Sequence, residues 1–199
     1  MLQSTEGIII HTIKHTDSGI VAHIITRDKG RLSFIAKGIN NKKGNTRRMF
    51  FQTGQIVNIE YYYKNHKELQ FIKELTPSVI YNSIPYDIKK NTVTLFLCEV
   101  LYKSVRTSEE DIQLYLYIKD TFLFLDNETS PNPNFHIAFL IGLSRYLGIV
   151  PRIPDLMVGN EYFDMQSGEF RQHDCAGKYP RRSRSFSQYR TMRAGIACA

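Results

Sequence analysis

The hydrophobic period of this chain changes once, near Pro85, and that change limits the fold more than any other feature. Between Gly7 and Tyr81 five runs alternate with period two: GIIIHTIKH, GIVAHIITR, GRLSFIAKG, GQIVNIEYYYK and LQFIKELTPSVIY. They are β-branched or aromatic and are separated by Asp-Ser-Gly, Asp-Lys-Gly and Asn-His, the marks of turns between antiparallel strands. Arg27-Asp28-Lys29-Gly30 reads as a hairpin tip, because Asp and Gly tolerate the positive φ of a tight turn. In the fourth run Val57, Ile59, Tyr61 and Tyr63 share one face while Asn58, Glu60 and Tyr62 take the other. Five short strands cannot bury a flat sheet, so closure into a small barrel of the OB-fold type is the economical solution.

After Pro85 the period becomes helical. Val93, Phe96, Leu97, Val100 and Leu101 fall on one stripe. A second helix is expected to start at Ser108, with Asp111 three residues on, and to carry Ile112, Tyr115, Leu116, Phe122 and Leu123. A third carries Phe135, Ala138, Phe139, Gly142, Leu143, Tyr146 and Leu147 and stops at Gly148. Strands first and helices second predict an α+β chain with segregated parts. We divide it into an OB-fold domain over 1–82, a helical domain over 83–170, and a basic tail over 171–199. Within the second part EYFDMQSGEF, residues 161–170, reads as a hairpin with Ser-Gly at its tip.

Charge is distributed as basic, acidic, basic. Residues 1–55 hold nine Lys/Arg against three acids, residues 56–170 ten against fifteen, and residues 171–199 seven against one. A basic first third on a mildly acidic body predicts a local polyanion surface. No apolar run approaches the eighteen or so residues of a membrane span, and the N-terminus lacks the pattern of a secretory signal, so a cytoplasmic protein is expected. The three cysteines, Cys98, Cys175 and Cys198, show no CxxC spacing, which argues against a disulfide framework or a zinc site. Cys98 reads as a small buried hydrophobe.

Nothing in the chain forms a catalytic constellation: there is no Walker A pattern, GxSxG elbow or HExxH pair, and the six histidines are scattered. Glu109, Glu110 and Asp111 read as first-turn acids of a helix. The expectation is a protein that is not an enzyme and uses no cofactor or metal. The positive signal is RLSFIAKGINNKKGNTRRMFF, residues 31–51. With Arg27 and Lys29 it completes eight cations in the twenty-two residues 27–48: Arg27, Lys29, Arg31, Lys37, Lys42, Lys43, Arg47 and Arg48. Phosphate contacts supply most of the affinity of non-specific nucleic-acid binding, so this is the composition such a surface requires. Phe34, Phe50, Phe51 and Tyr61-Tyr62-Tyr63 are either base-stacking platforms or barrel core. Only Tyr62 is clearly placed outside, and it is the stacking candidate. The arginine-rich end has two readings, a disordered tail that helps hold nucleic acid or an unstructured end without a role.

The stretch GIIIHTIKHTDSGIVAHIITRDKGRLSFIAKGINNKKG resembles the opening of the bacterial recombination mediator family RecO, and FHIAFLIGLSRYLGIVPRIP is similar to that family's helix ending in Leu-Gly and a proline-rich turn. The resemblance covers roughly residues 1–170. It implies an N-terminal OB-fold, a helical second domain and a role in DNA repair without turnover. It also implies binding to single- and double-stranded DNA, annealing of complementary strands, and help in loading the recombinase RecA on DNA coated by single-stranded-DNA-binding protein, together with RecR. The same eight cations are the positions it points to, in a cytoplasmic, nucleoid-associated protein.

Two departures qualify the transfer. Many relatives carry a four-cysteine zinc module after the Leu-Gly-Pro turn, whereas GIVPRIPDLMVGNEYFDMQSGEF has no cysteine, so no zinc is expected. The family also continues with amphipathic helices where this chain has its basic tail, which reads as an aberrant or truncated terminus. A second reading, from a different class, is a protein-interaction adaptor whose helical part binds a partner peptide and whose basic loop is not a DNA site.

Overall fold

A computed structural model describes residues 1–16, 19–37, 49–106, 109–150, 161–164 and 169–172, the last two segments by their backbone alone. Five strands, β1 (Leu2–Thr16), β2 (Gly19–Thr26), β3 (Gly30–Ala36), β4 (Ile56–Tyr62) and β5 (Leu69–Pro77), close into a barrel of order β1-β2-β3-β5-β4. All neighbours are antiparallel except β3 and β5, which run parallel. The closed five-stranded barrel predicted from period and turn signals is the architecture found.

β1 starts at Leu2, five residues before the predicted Gly7. The polar stretch LQSTE was not legible as a strand, because its partner lies far along the chain: Leu2 pairs with Tyr62 and each following residue steps back along β4 to Ile56. Around Gly7 and Ile8 the strand passes from β4 to β2, and both residues are paired on both sides. A Cβ on Gly7 would lie 2.5 Å from Ile24 Cγ2 and 3.3 Å from Ile59 Cδ1, so only glycine lets the strand coil this tightly over the interior.

The barrel interior is filled by Ile9, Ala22, Ile24, Phe34, Val57, Ile59, Tyr61 and Leu75, with Phe34 edge-on to Tyr61 at 5.1 Å. Ile8, Ile10, Ile25 and Ile56 are buried without belonging to that interior cluster. Part of the barrel's outer face is thus covered too, which is why the run Ile8-Ile9-Ile10 is apolar without alternation.

Three helices follow: α1 (Ile88–Ser104), α2 (Ile112–Asn127) and α3 (Phe135–Tyr146). α1 packs on β1, and its buried side chains are Lys90, Thr94, Leu97, Cys98 and Leu101. The predicted stripe is therefore rotated: Leu97 and Leu101 face inward as expected, but Phe96 is exposed. Close approach decides the face. Cys98 Sγ sits 3.9 Å from the carbonyl oxygen of Ile9, and Thr94 lies against Gly54, contacts that demand small side chains. Cys98 is the buried, free thiol expected.

α2 is capped by Asp111, whose carboxylate accepts from the Leu114 amide at 2.8 Å. Asp111 is thus the cap itself and not the third helical residue; Ser108 lies outside the described residues. α3 ends in a Schellman arrangement, with Gly148 at φ +68° donating to Arg145 and Ile149 donating to Ser144. β6 (Glu161–Asp164) and β7 (Glu169–Gln172) form the expected antiparallel pair, with its tip outside the described residues. Apart from Arg171 and Gln172 in β7, the same holds for the tail.

The compact units do not divide where the period changes. One runs from Met1 to Phe139 and the other from Leu140 to Ala199. Polar clamps explain why the barrel and the first helices form one unit. Glu6 of β1 accepts from Tyr115 at 2.8 Å and from Lys119 at 2.8 and 2.9 Å on α2, and from Ser78. Asp126 accepts from the amides of Asn82, Ser83 and Ile84 at 2.8 to 2.9 Å, holding the segment between β5 and α1. Buried Lys90 donates to Ser83 Oγ at 2.6 Å and to the Asp126 carbonyl at 3.0 Å.

Candidate nucleic-acid interface

An open groove of about 990 Å³ runs between the β2–β3 turn, the β4–β5 loop and the end of α1. The turn is built from short polar side chains. Thr26 Oγ1 donates to the Gly30 carbonyl at 2.8 Å and accepts from the Lys29 amide, while Thr5 donates to Asp28 at 2.6 Å; Gly30 takes the positive φ, at +58°. The predicted hairpin is therefore present, with glycine at its left-handed position.

The opposite wall is the loop from Tyr63 to Glu68. Its form is set by Gln70, a buried glutamine whose Oε1 accepts from the Lys64 amide at 2.9 Å and whose Nε2 donates to the Lys64 carbonyl at 3.1 Å and to the Lys67 carbonyl. A buried amide with three backbone partners holds a loop firmly, since each broken bond would leave a polar group unsatisfied. Tyr63 donates to Asn65 at 3.0 Å, and Lys29 Nζ lies 4.4 Å from the Tyr63 ring centroid, linking the two walls by a cation–π contact.

The third wall is the end of α1, and there Arg31 has a role that its sequence position did not show. Its Nη1 donates to the carbonyls of Tyr102 at 2.7 Å and Val105 at 2.9 Å, and its guanidinium lies 4.4 Å from the Tyr102 ring centroid. Arg31 therefore caps the C-terminus of α1 from the barrel. His11 and His23 complete the packing around Tyr102, with ring centroids 4.3 and 5.1 Å away. His23 Nδ1 is 2.9 Å from Ser33 Oγ. Burial, with the charges of Arg31 and His11, holds the His23 pKa below its ordinary value, so the neutral ring is favoured.

The groove holds the cations Lys29, Arg31, Lys67, Lys103 and Arg106 against the acids Asp28, Glu68 and Glu110. Of the eight predicted cations the structure brings two into it, Lys29 and Arg31. Arg27 is exposed beside the turn and does not line it. Lys37 lies at the far end of β3, with Nζ 5.1 Å from the Phe71 ring centroid. Lys42, Lys43, Arg47 and Arg48 lie outside the described residues. The aromatics separate by face: Phe34, Phe51 and Tyr61 are buried, Tyr63 lines the groove, and Tyr62 is 48% exposed.

Sequence reasoning missed Lys67, Lys103 and Arg106. The available signal was the composition of the loop after β4, YKNHKE, where polar and basic residues joined two strands and were read only as a turn. Among the described residues no cluster of three or more His, Cys, Asp or Glu could hold a metal ion, and no helix is long and apolar enough to cross a membrane.

Comparison with known proteins matches this chain to two family models: Recombination protein O N terminal over residues 1–81 and Recombination protein O C terminal over residues 85–184. The chain belongs to the RecO family. The second match continues past residue 170, where the resemblance was expected to stop. Among curated relatives, the DNA repair protein RecO of Bacteroides fragilis is 36% identical over 170 residues, covering 85% of this chain and 70% of the relative. The protein of the same name from Phocaeicola vulgatus is 33% identical over 170 residues with the same coverage, and that of Porphyromonas gingivalis 32% over 176, covering 85% and 71%. The barrel described above is the OB-fold of the RecO N-terminal domain.

Proposed function

We propose that this RecO-family chain acts in recombinational DNA repair as a non-catalytic mediator that binds DNA and anneals complementary strands. The observation that carries the reading is the groove on a closed OB barrel, walled by the β2–β3 turn and the β4–β5 loop and lined by five cations and three acids, with Arg31 held by the α1 carbonyls and Lys103 paired with Glu99 at 2.7 Å. The loop between the fourth and fifth strands is one that OB-folds use to hold oligonucleotides, and the cations would screen the repulsion between two phosphate backbones brought side by side. We assign DNA binding to the barrel, residues 1–82, and partner binding to the helical part, residues 83–170. In this reading Arg27, Lys29, Lys37, Lys42, Lys43, Arg47 and Arg48 meet phosphate, Arg31 does so while it holds the groove wall, and Tyr62 stacks on a base. The partners are single- and double-stranded DNA, single-stranded-DNA-binding protein and RecR, and through them RecA, in the cytoplasm near the nucleoid.

The test is binding of a labelled single-stranded oligonucleotide across a salt series. Neutralising about five phosphates predicts a log–log slope of roughly −3 to −4, which shrinks when Lys29 and Lys67 are reversed to Glu. Absence of binding at low salt sinks the reading. One observation favours the adaptor as a second reading: Ile80, Tyr86 and Ile88, around the link from barrel to α1, are 83%, 85% and 82% exposed. An adaptor's partner binding would be insensitive to reversal of Lys42, Lys43, Arg47 and Arg48.

A further inference from the structure

Along β3, β5 and β4 the barrel carries an outward row of apolar side chains in direct register: Ile35 pairs with Phe71, Phe71 with Tyr62, and Tyr62 with Leu2 of β1. Their chain neighbours Phe34, Ala36, Tyr61 and Ile72 belong to or pack on the interior, so the pleat turns this row outward. Tyr62 is 48% and Leu2 45% exposed, Phe71 is half-buried, and Ile35, at 5%, is covered, so the open part of the row is Phe71, Tyr62 and Leu2. Two aromatic residues thus stand in cross-strand register on the outer face, Tyr62 about half exposed and Phe71 half-buried. Their charged surroundings are unequal. Lys73 is paired with Glu60 at 3.0 Å, whereas Lys37 has its Nζ 5.1 Å from the Phe71 ring centroid.

We propose that Tyr62, Phe71 and Lys37 form a base-stacking platform on the outer face of β4, β5 and β3, through which this chain selects unpaired bases over duplex. The proposal rests on the DNA-binding reading above and adds the chemical feature that is recognised. Arg31, Ser33 and Ile35 alternate outward along β3, and the first two line the groove. Groove and platform therefore share one strand, and a nucleotide chain leaving the groove along β3 meets Phe71 and then Tyr62. A base offers such rings a π-face and brings a phosphate for Lys37; an apolar peptide would have to strip Lys37 of water with no charge in return. In a duplex the base faces are already stacked on one another, so only the groove's electrostatic attraction remains.

The test uses the full chain with three labelled probes: an oligothymidylate of about twenty nucleotides, an abasic oligomer of equal length, and a duplex. The expected result is that oligothymidylate binds more tightly than the abasic oligomer by a factor on the order of 10 or more. Tyr62→Ala should remove roughly 5- to 100-fold of the affinity for oligothymidylate, leave the salt slope and the abasic affinity unchanged, and be rescued by Tyr62→Trp. Phe71→Leu keeps an apolar side chain at this half-buried position while removing the ring and should act the same way, with an unchanged unfolding midpoint as the control for folding. Equal affinity for oligothymidylate and the abasic oligomer would overturn the platform and leave the groove reading standing. Loss of binding to single-stranded-DNA-binding protein in Tyr62→Ala, with oligonucleotide affinity intact, would also overturn it and assign the row to a protein. If no probe binds, the platform and the function proposed above fail together.

Discussion

Replacing Arg31 by Lys separates a structural cation from a phosphate-binding one. The guanidinium makes two hydrogen bonds to carbonyls at the end of α1 and lies over the Tyr102 ring. Hydrogen bonds from a charged donor contribute roughly 1.5–3 kcal/mol each and a cation–π contact about 0.5–2 kcal/mol. These overlap in one half-buried group, and lysine recovers one of the carbonyls but has no planar fork to reach both and stack as well. A loss of about 2–3 kcal/mol follows. In a chain of this size that lowers Tm by roughly 5–10 °C, read by thermal unfolding. Because the charge is kept, the salt slope of oligonucleotide binding should not change. The contrasting variant, Lys29→Glu with Lys67→Glu, should reduce the slope by about 0.7 for each lost contact and shift Tm by no more than about 4 °C, since surface changes stay within roughly 0.5 kcal/mol each. If Arg31→Lys leaves Tm unchanged, the two carbonyl bonds and the ring contact do not hold the end of α1 and the clamp argument is wrong.

Gly54→Ala places a methyl 2.4 Å from Thr94 Cγ2 at a residue with φ +88°, and should cost about 2–4 kcal/mol in urea unfolding. Adding Thr94→Ser, which deletes that Cγ2, should return the steric part and leave the backbone strain. Gln70→Leu preserves volume but strands the Lys64 and Lys67 backbone groups, so oligonucleotide affinity should fall several-fold as the groove wall loosens, measured by fluorescence anisotropy. For Glu6, burial raises the pKa but is outweighed by hydrogen bonds from Lys119, Ser78 and Tyr115 and by the Lys119 charge, which leaves it below 4.5; for Asp126, burial is outweighed by three backbone amides, which leave it below 3.8. Stability from both is complete above those values and is lost as pH falls through the lower folded ones. Urea midpoints should therefore drop steeply below about pH 4.5, and Glu6→Gln should flatten that limb while lowering the plateau at neutral pH.

The barrel was legible because its information is local: strand patterns of period two, turn residues at the joints, and a length that permits only closure. What escaped the sequence depends on pairing across long separations. LQSTE is a strand only because β4 lies beside it, and the buried face of α1 is chosen by Gly54 and Ile9, residues 40 or more positions upstream of the Thr94 and Cys98 they meet. The cations show the same division. Their density along residues 27–48 was readable, but what each one touches was not: Arg31 answers to the carbonyls of a helix seventy residues away, and Lys29 to a tyrosine across the groove. Lys67, Lys103 and Arg106, each unremarkable in its own stretch, become a site only when the barrel brings three separate segments to one channel. A protein that holds two flexible polyanions needs its charges on rigid walls, because a cation already fixed in place loses little entropy when phosphate arrives. In the proposed reading the clamps through Gln70 and Arg31 supply that rigidity, so the bonds that fix the groove walls count toward binding beside the cations that a charge count finds.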